Sequence, residues 1–272
     1  MSASRLSAAR GSERLRDRRR TRRHRILFAL GALFALCLAG IIYELNQSAF
    51  RIAHVQVYGA DQTYTDIATA AMQGSYLGLV PRDSTFFYPG AAIRTDIVAR
   101  HPDIAAVALF RNGLTGLSIK VNDRVPVARW CGASYARAAS STAPCYLFDA
   151  SGFVFATTSE QQLVNPFALY ESLAVGVTDP MQTMLPNESK LPAIFDFARQ
   201  LATLGATTES VVIRGDEVDD YLASGTRVTY VLGNEEAAFT ALTSAHKDID
   251  LASGTVDYVD LRFSGKVYIK KK

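Results

Sequence analysis

IAAVALFRNGLTGLSIKVND, residues 104–123, reads as two β-strands joined by a turn, and what flanks this hairpin decides the fold. Ile104 to Phe110 is the first strand and Gly116 to Val121 the second, with Asn112-Gly113 as the turn signal between them. In the second strand Leu117, Ile119 and Val121 alternate with Ser118, Lys120 and Asn122, the period-two pattern of one buried and one wet face. Upstream, Pro89 opens a helix in which Ile93 and Ile97 are one turn apart, and His101-Pro102 ends it. Before that, Thr65-Asp66-Ile67 opens a helical stretch with Ile67, Ala70 and Ala71 on one face. RIAHVQVYG, residues 51–59, is a strand rich in β-branched residues with a turn at Gly59. The order is β-α-α-β-β.

Downstream the pattern is mostly β. Val127 to Trp130, Tyr146 to Phe148 and Phe153 to Ala156 read as short strands, and residues 157–189, broken by Pro166, Pro180 and Pro186, read as short strands and loops. Leu191 to Leu204 is the clearest helix: Leu191, Ile194, Phe197, Ala198, Leu201 and Leu204 recur at helical spacing, between Pro192 and Gly205. Val211 to Arg214 and Thr226 to Leu232 are strands. Asn234 is placed to cap a helix from Glu235 to His246 that buries Ala238, Phe239 and Leu242. The chain closes on a hairpin in which Val259, Leu261 and Phe263 alternate with Tyr258, Asp260 and Arg262, Ser264-Gly265 turns, and Val267 and Ile269 return. Lys270-Lys271-Lys272 reads as a solvated end. The fold class is therefore α+β, with a β-α-α-β-β unit at residues 50–122 and a mixed β domain with two helices at 123–270.

Farther upstream, ILFALGALFALCLAGIIY (Ile26 to Tyr43) has no charged residue. A helix of this length covers about 27 Å, close to the hydrocarbon thickness of about 30 Å. The run exceeds the apolar core of a cleaved signal peptide, about 7 to 15 residues, so it reads as a single N-terminal transmembrane helix. Residues 1–25 carry ten arginines against Glu13 and Asp17, a balance of +8, while the remainder holds 19 basic and 24 acidic residues, or −5. Positive charge flanking a span stays in the cytoplasm, which puts residues 1–25 inside as a basic tail and the domains outside. No aromatic residue is interleaved among these arginines to stack bases, so nucleic acid is not an expected partner.

Three cysteines are too few for a disulfide-dense scaffold. Cys37 lies in the span. Cys131 and Cys145 bracket an Ala- and Ser-rich loop, and a bridge closing about 15 residues contributes about 3 kcal/mol in an oxidising compartment; two unpaired thiols are the alternative. Ser244-Ala245-His246-Lys247 fits the Ser-x-x-Lys pattern of penicillin-binding proteins, but Lys-Thr-Gly and Ser-x-Asn companions are missing. His54, His101 and His246 are widely spaced, without a metal-ligand pattern. Asp219-Asp220 and Asp248 with Asp250 read as solvated faces. No catalytic residue, cofactor, metal site or small-molecule substrate is expected from these patterns.

Five stretches resemble, in order, the FtsQ/DivIB family of bacterial cell-division proteins. FRIAHVQVYG (50–59) is similar to the opening strand of that family's POTRA domain, and HPDIAAVALFRN (101–112) to the segment after its second helix. NDRVPVARW (122–130) resembles a Glu-Arg-x-Pro-Val-Ala-x-Trp junction, with Asp123 in place of the usual Glu. YLFDASGFVF (146–155) is similar to an Asp-x-x-Gly-x-Val-Phe segment, and YVDLRFSGKVYIK (258–270) to the closing strand pair. The Cys131–Cys145 insert is outside the pattern, and residues 157–189 match it poorly.

The resemblance implies a non-enzymatic scaffold, single-pass in the bacterial plasma membrane and gathered at the septum. Such a scaffold holds FtsB- and FtsL-like single-span partners and helps control septal peptidoglycan synthesis. It also implies that a partner segment meets the closing strand pair, which carries over to Arg262, Phe263, Ser264, Gly265, Lys266, Val267, Tyr268 and Ile269. Arg262 is then expected to meet a partner carboxylate, and Phe263 or Tyr268 to act as an aromatic anchor. The competing readings are another POTRA-bearing envelope secretion or assembly protein and an anchored Ser-x-x-Lys enzyme.

Overall fold

The computed structural model describes residues 3–58, 63–135, 144–158 and 163–272. The turn expected at Gly59 lies outside them, as does most of the loop between Cys131 and Cys145. The chain is α+β and divides into two compact units, the first formed by residues 1–100 and 106–122, the second by 101–105 and 123–272.

The first unit begins with the long helix α1 (Ala3–Leu45), of which Arg22–Leu45 is long and apolar enough to cross a membrane. Then come β1 (His54–Tyr58), α2 (Thr63–Ala71), the short strands β2 (Ser75–Tyr76) and β3 (Val80–Pro81), α3 (Gly90–Arg100), β4 (Ile104–Asn112) and β5 (Gly116–Asp123). The sheet runs β1-β5-β4, and β1 pairs with β5 in parallel from His54↔Gly116 to Tyr58↔Lys120. Parallel neighbours need a crossover, which α2 and α3 supply. Ile93 and Ile97 of α3 are fully buried, as the spacing predicts. In α2 the buried face is Tyr64, Ile67 and Ala68, continued by Met72, rather than Ala70 and Ala71. Tyr64 and Met72, a turn either side of Ala68, carry this face, while Ala70 is exposed and Ala71 half-buried. Ser118, expected on a wet face, is buried because β5 is the central strand.

The second unit contains β6 (Ala128–Trp130), β7 (Tyr146–Phe148), β8 (Val154–Thr157), β9 (Ala168–Glu171), α4 (Leu191–Thr203), β10 (Thr208–Arg214), β11 (Glu217–Leu222), β12 (Arg227–Val231), α5 (Glu235–Ala245), β13 (Val256–Asp260) and β14 (Tyr268–Lys271). Among the described residues these strands form one mixed sheet in the order β14-β13-β12-β11-β10-β9-β6-β7-β8. Residues 157–189, read as short strands and loops, thus supply the interior strand β9, parallel to both β6 and β10.

Register links make continuous rows across this sheet. One row runs Trp130, Leu169, Val211, Asp220, Val228, Val259, Ile269. Its valines and leucine belong to the core that also takes in Leu191, Ile194, Phe197 and Leu201 of α4 and Ala238 and Leu242 of α5. The row of opposite parity runs Tyr170, Val212, Asp219, Thr229, Asp260, Tyr268. Phe239 is half-buried, not fully as expected. Asn234 makes no side-chain cap; the Glu235 carboxylate instead accepts from the Gly233 N–H at 2.8 Å, satisfying a donor just ahead of α5.

Asp219 and Asp220, expected on a solvated face, are both buried in β11. Asp219 is paired with Arg214 and accepts from Thr229 Oγ1 at 2.5 Å. Among the described residues Asp220 has no hydrogen-bond partner, and burial holds its carboxyl well above the usual carboxylate range. Asp250 does stay exposed, accepting from the Ala252 and Ser253 N–H groups.

Two stretches quoted above for their motifs meet here. The Arg124 guanidinium, from NDRVPVARW, pairs with the Asp149 carboxylate of YLFDASGFVF and lies 4.0 Å from the centre of the Phe153 ring. Asp149 also accepts from Ser151 N, Ser151 Oγ and Phe153 N at 2.9, 2.6 and 3.2 Å. Burial pushes its pKa up, but the bonds from Ser151, Arg124 and Phe153 outweigh that and hold it below the ordinary value. Gly152 is required at this turn: its φ is +79°, and a Cβ there would lie 2.6 Å from the Glu188 Cβ.

Candidate partner-binding edge

The closing strands form one end of the large sheet. β13 pairs in parallel with β12 and antiparallel with β14, with Val259↔Ile269 and Asp260↔Tyr268 in register and a bulge between Val256 and Tyr258. Among the described residues β14 has no strand on its other side, which leaves a row of backbone donors and acceptors open. The opposite end is covered: beyond β8, Val154 N donates to Thr183 O and Gln182 N to Val154 O, both at 2.9 Å, and Phe153 bridges Met184.

The structure brings the eight predicted edge residues together, though not all in the expected way. Val259 and Leu261 are buried as the alternation predicts, but the strand ends at Asp260, and Phe263 is exposed rather than the next core position. Leu261 N bonds Thr229 O at 2.8 Å, after which the chain leaves the ladder. Ser264 and Gly265 form the turn, with Lys266 N donating to Phe263 O at 3.0 Å. Val267 packs against the core, while Tyr268 and Ile269 remain 47% and 39% exposed. The Phe263 and Tyr268 rings meet edge-on with centroids 5.3 Å apart, an exposed aromatic pair at the strand's start.

Arg262, expected to await a partner's carboxylate, is engaged within its own domain. Its Nε and Nη2 donate to Asp260 at 2.9 and 2.6 Å, and its Nη1 pairs with Glu217. Those bonds raise the guanidinium's pKa, and the Arg262 bonds hold Asp260 below its ordinary value despite burial. Arg262 is thus a support for the turn rather than a free contact. The terminal lysines, expected as a solvated end, are partly structured: Lys270 and Lys271 belong to β14, and Lys270 Nζ pairs with Asp257 at 2.9 Å.

Sequence reasoning missed a groove of about 1260 Å³ beside this edge, between α4 and α5, to which Gly265 and Val267 also contribute. Its signal was present as Ala237, Ala241 and Ala245, one turn apart on α5. Ser244 lines the same groove, and its hydroxyl donates to Thr240 O at 2.9 Å. Near Cys131 and Cys145 the structure closes a disulfide with a Cα separation of 4.2 Å; the two residues follow the Trp130↔Tyr146 pair, so the bridge extends the β6–β7 ladder. Among the described residues no group of three or more His, Cys, Asp or Glu side chains is placed to hold a metal.

No model of a known protein family matches the chain, and no curated protein matches it.

Proposed function

We propose that this chain is a membrane-anchored scaffold of bacterial cell division, of the FtsQ/DivIB type, whose β14 edge captures a segment of a single-span partner as an added strand. In this reading α1 is the anchor, its arginine-rich end is cytoplasmic, the β-α-α-β-β unit is a POTRA domain, and the protein works at the septum without catalysing a reaction. The observation that carries the proposal is the open β14 edge at one end of a sheet whose other end is covered. The union of two motif stretches through Arg124 and Asp149 supports the family resemblance.

The edge also specifies its guest. An added strand continues the apolar row that ends at Ile269, so it needs an apolar side chain opposite that residue. On the other face Phe263 and Tyr268 offer an aromatic anchor. Lys266 and Lys271 are exposed around the strand, beside Lys270 and its partner Asp257, which favours an acidic segment.

The test is binding of the full-length protein to an FtsB-like partner. Tyr268→Ala should cost about 2 kcal/mol, roughly 30-fold in Kd, with unfolding unchanged. Ile269→Asp should abolish strand addition while the core beneath β13 stays folded. Wild-type affinity in both variants would overturn the edge assignment. Diffuse envelope fluorescence of a tagged protein throughout the cell cycle, with no gathering at midcell, would overturn the division role.

A further inference from the structure

The first unit carries exposed apolar side chains that its own packing leaves unused. Ser75–Pro81 is a small hairpin, β2 to β3, with Tyr76↔Val80 in register and Leu79 N bonded to Tyr76 O at 3.0 Å. Leu77 at its tip is 96% exposed and sits in left-handed backbone, φ +52°, a conformation that suits glycine or asparagine better. Leu79, Phe86 and Phe87 are also exposed, each by half or more. Scattered apolar residues need no explanation, but these cluster on one hairpin and the loop that follows it.

Their position supplies the reason. Leu38, Ile41 and Ile42 of α1 share one groove, of about 630 Å³, with Tyr76, Val80 and Phe87. Asn46 Nδ2 ties the hairpin to the end of α1 by donating to Leu79 O at 3.1 Å and to Ile42 O at 2.8 Å. Leu38 lies below Tyr43, the last residue of the uncharged run, by about 7.5 Å of helix rise. The hairpin therefore lines a groove whose helical wall runs from Leu38, inside the uncharged run, to Leu45 just beyond it. Tyr76 and Tyr88 line this groove and Tyr43 closes the apolar run on α1, residue types that concentrate at a membrane–water boundary. Arg82, exposed and 5.2 Å from the centre of the Tyr76 ring, sets a cation beside that aromatic residue.

We propose that the Ser75–Pro81 hairpin, with Phe86 and Phe87, is a second membrane contact that lies in the interfacial layer of the bilayer beside the span. It rests on α1 being a span, not on the identity of any protein partner. Leu77 and Leu79 enter the acyl region, Phe86 and Phe87 lie along it, and Arg82 meets the phosphates, so the unit is held at two points and its orientation on the bilayer is restricted.

The test uses the full-length chain in phosphatidylethanolamine–phosphatidylglycerol vesicles. An environment-sensitive fluorophore is placed at Leu77→Cys in a Cys37→Ser background, and separately at the native Cys37 in α1. Lipids brominated near the headgroup end of their acyl chains should remove most of the fluorescence at position 77, and aqueous iodide little of it. Quenching of 77 by iodide and not by bromolipid, with Cys37 still quenched by bromolipid, overturns the second contact and leaves the anchor standing. If neither position responds to bromolipid, the anchor falls as well. Protection of 77 from both quenchers that grows with protein-to-lipid ratio means that a second copy covers the hairpin, and also overturns the proposal.

Discussion

Asp220 lies in the otherwise apolar row between Val211 and Val228, fully buried, with neither carboxyl oxygen hydrogen-bonded. The hydroxyl of buried Tyr230 is likewise unpartnered, and the proximity of Asp220 and Glu235 adds to burial in pushing the phenol's pKa up. Burying a polar group without a partner costs about 1–3 kcal/mol in mutational series. Asp220→Val should therefore raise the unfolding free energy by about that amount, since valine matches both cross-strand neighbours and suits the pleat. For a unit of this size the gain corresponds to roughly 2–12 °C in Tm. The pH dependence fixes the cause. An acid whose folded pKa is raised binds its proton more tightly in the native state, so its contribution is whole below the unfolded value of about 3.9 and is lost as pH rises through the folded one. The benefit of Asp220→Val should thus be larger at pH 8 than at pH 4, and Asp220→Asn should flatten the same slope while keeping the shape. The readout is the fluorescence of Trp130, the chain's single tryptophan, which is buried at the far end of the same row and donates to Glu171 O at 2.9 Å. A lower midpoint for Asp220→Val, or an undiminished slope for Asp220→Asn, would refute the reasoning.

Removing the Cys131–Cys145 bridge by paired Cys→Ser substitution should cost about 3 kcal/mol, read from the denaturant midpoint of Trp130 fluorescence in protein kept oxidised. Arg124→Ala leaves the Asp149 carboxylate buried without its cation and should cost about 3–5 kcal/mol at neutral pH. Because the folded pKa of Asp149 is lowered, its contribution is present above about pH 3.9 and lost as pH falls through the folded value, so the Arg124→Ala penalty should shrink in acid titrations of stability. Gly152→Ala meets both positive φ and the Glu188 side chain and should lose more than about 1 kcal/mol by the same fluorescence assay.

The elements with a single wet face were legible in the sequence. α4 shows its buried stripe at helical spacing, and the turn at Ser264-Gly265 lies where turn chemistry places it. β11 was not legible, because alternation treats Asp219-Asp220 as a sign of solvent. In the fold each acid is buried by a different device, Asp219 by an ion pair with Arg214 and Asp220 by desolvation that disfavours its charge. β9 falls in the stretch read as short strands and loops but could not be placed there: Ala168–Glu171 is too short to show a period and follows Pro166, yet lies between two parallel neighbours. At the edge, composition placed Arg262 and the aromatic pair near one another, but only the fold reveals that Asp260 and Glu217 already hold the guanidinium.

The asymmetry of the large sheet connects these observations. An open edge invites pairing with any extended chain, including another copy of itself, and proteins commonly guard such edges with lysine. β14 carries Lys270 and Lys271, so two copies approaching edge to edge bring like charges together. In the proposed strand addition the same lysines would attract a segment of opposite charge, so that one device would serve both exclusion and selection. Ile269 is an apolar end to a row already continuous with the core, so under the proposed strand addition a correctly registered guest would gain burial while one slipped by one residue would set its apolar side chains on the Tyr268–Asp260 face. Arg262 fits the proposed division of labour: it is held by Asp260 and Glu217 beside the Phe263–Tyr268 pair, which leaves recognition of a guest to the strand in that proposal.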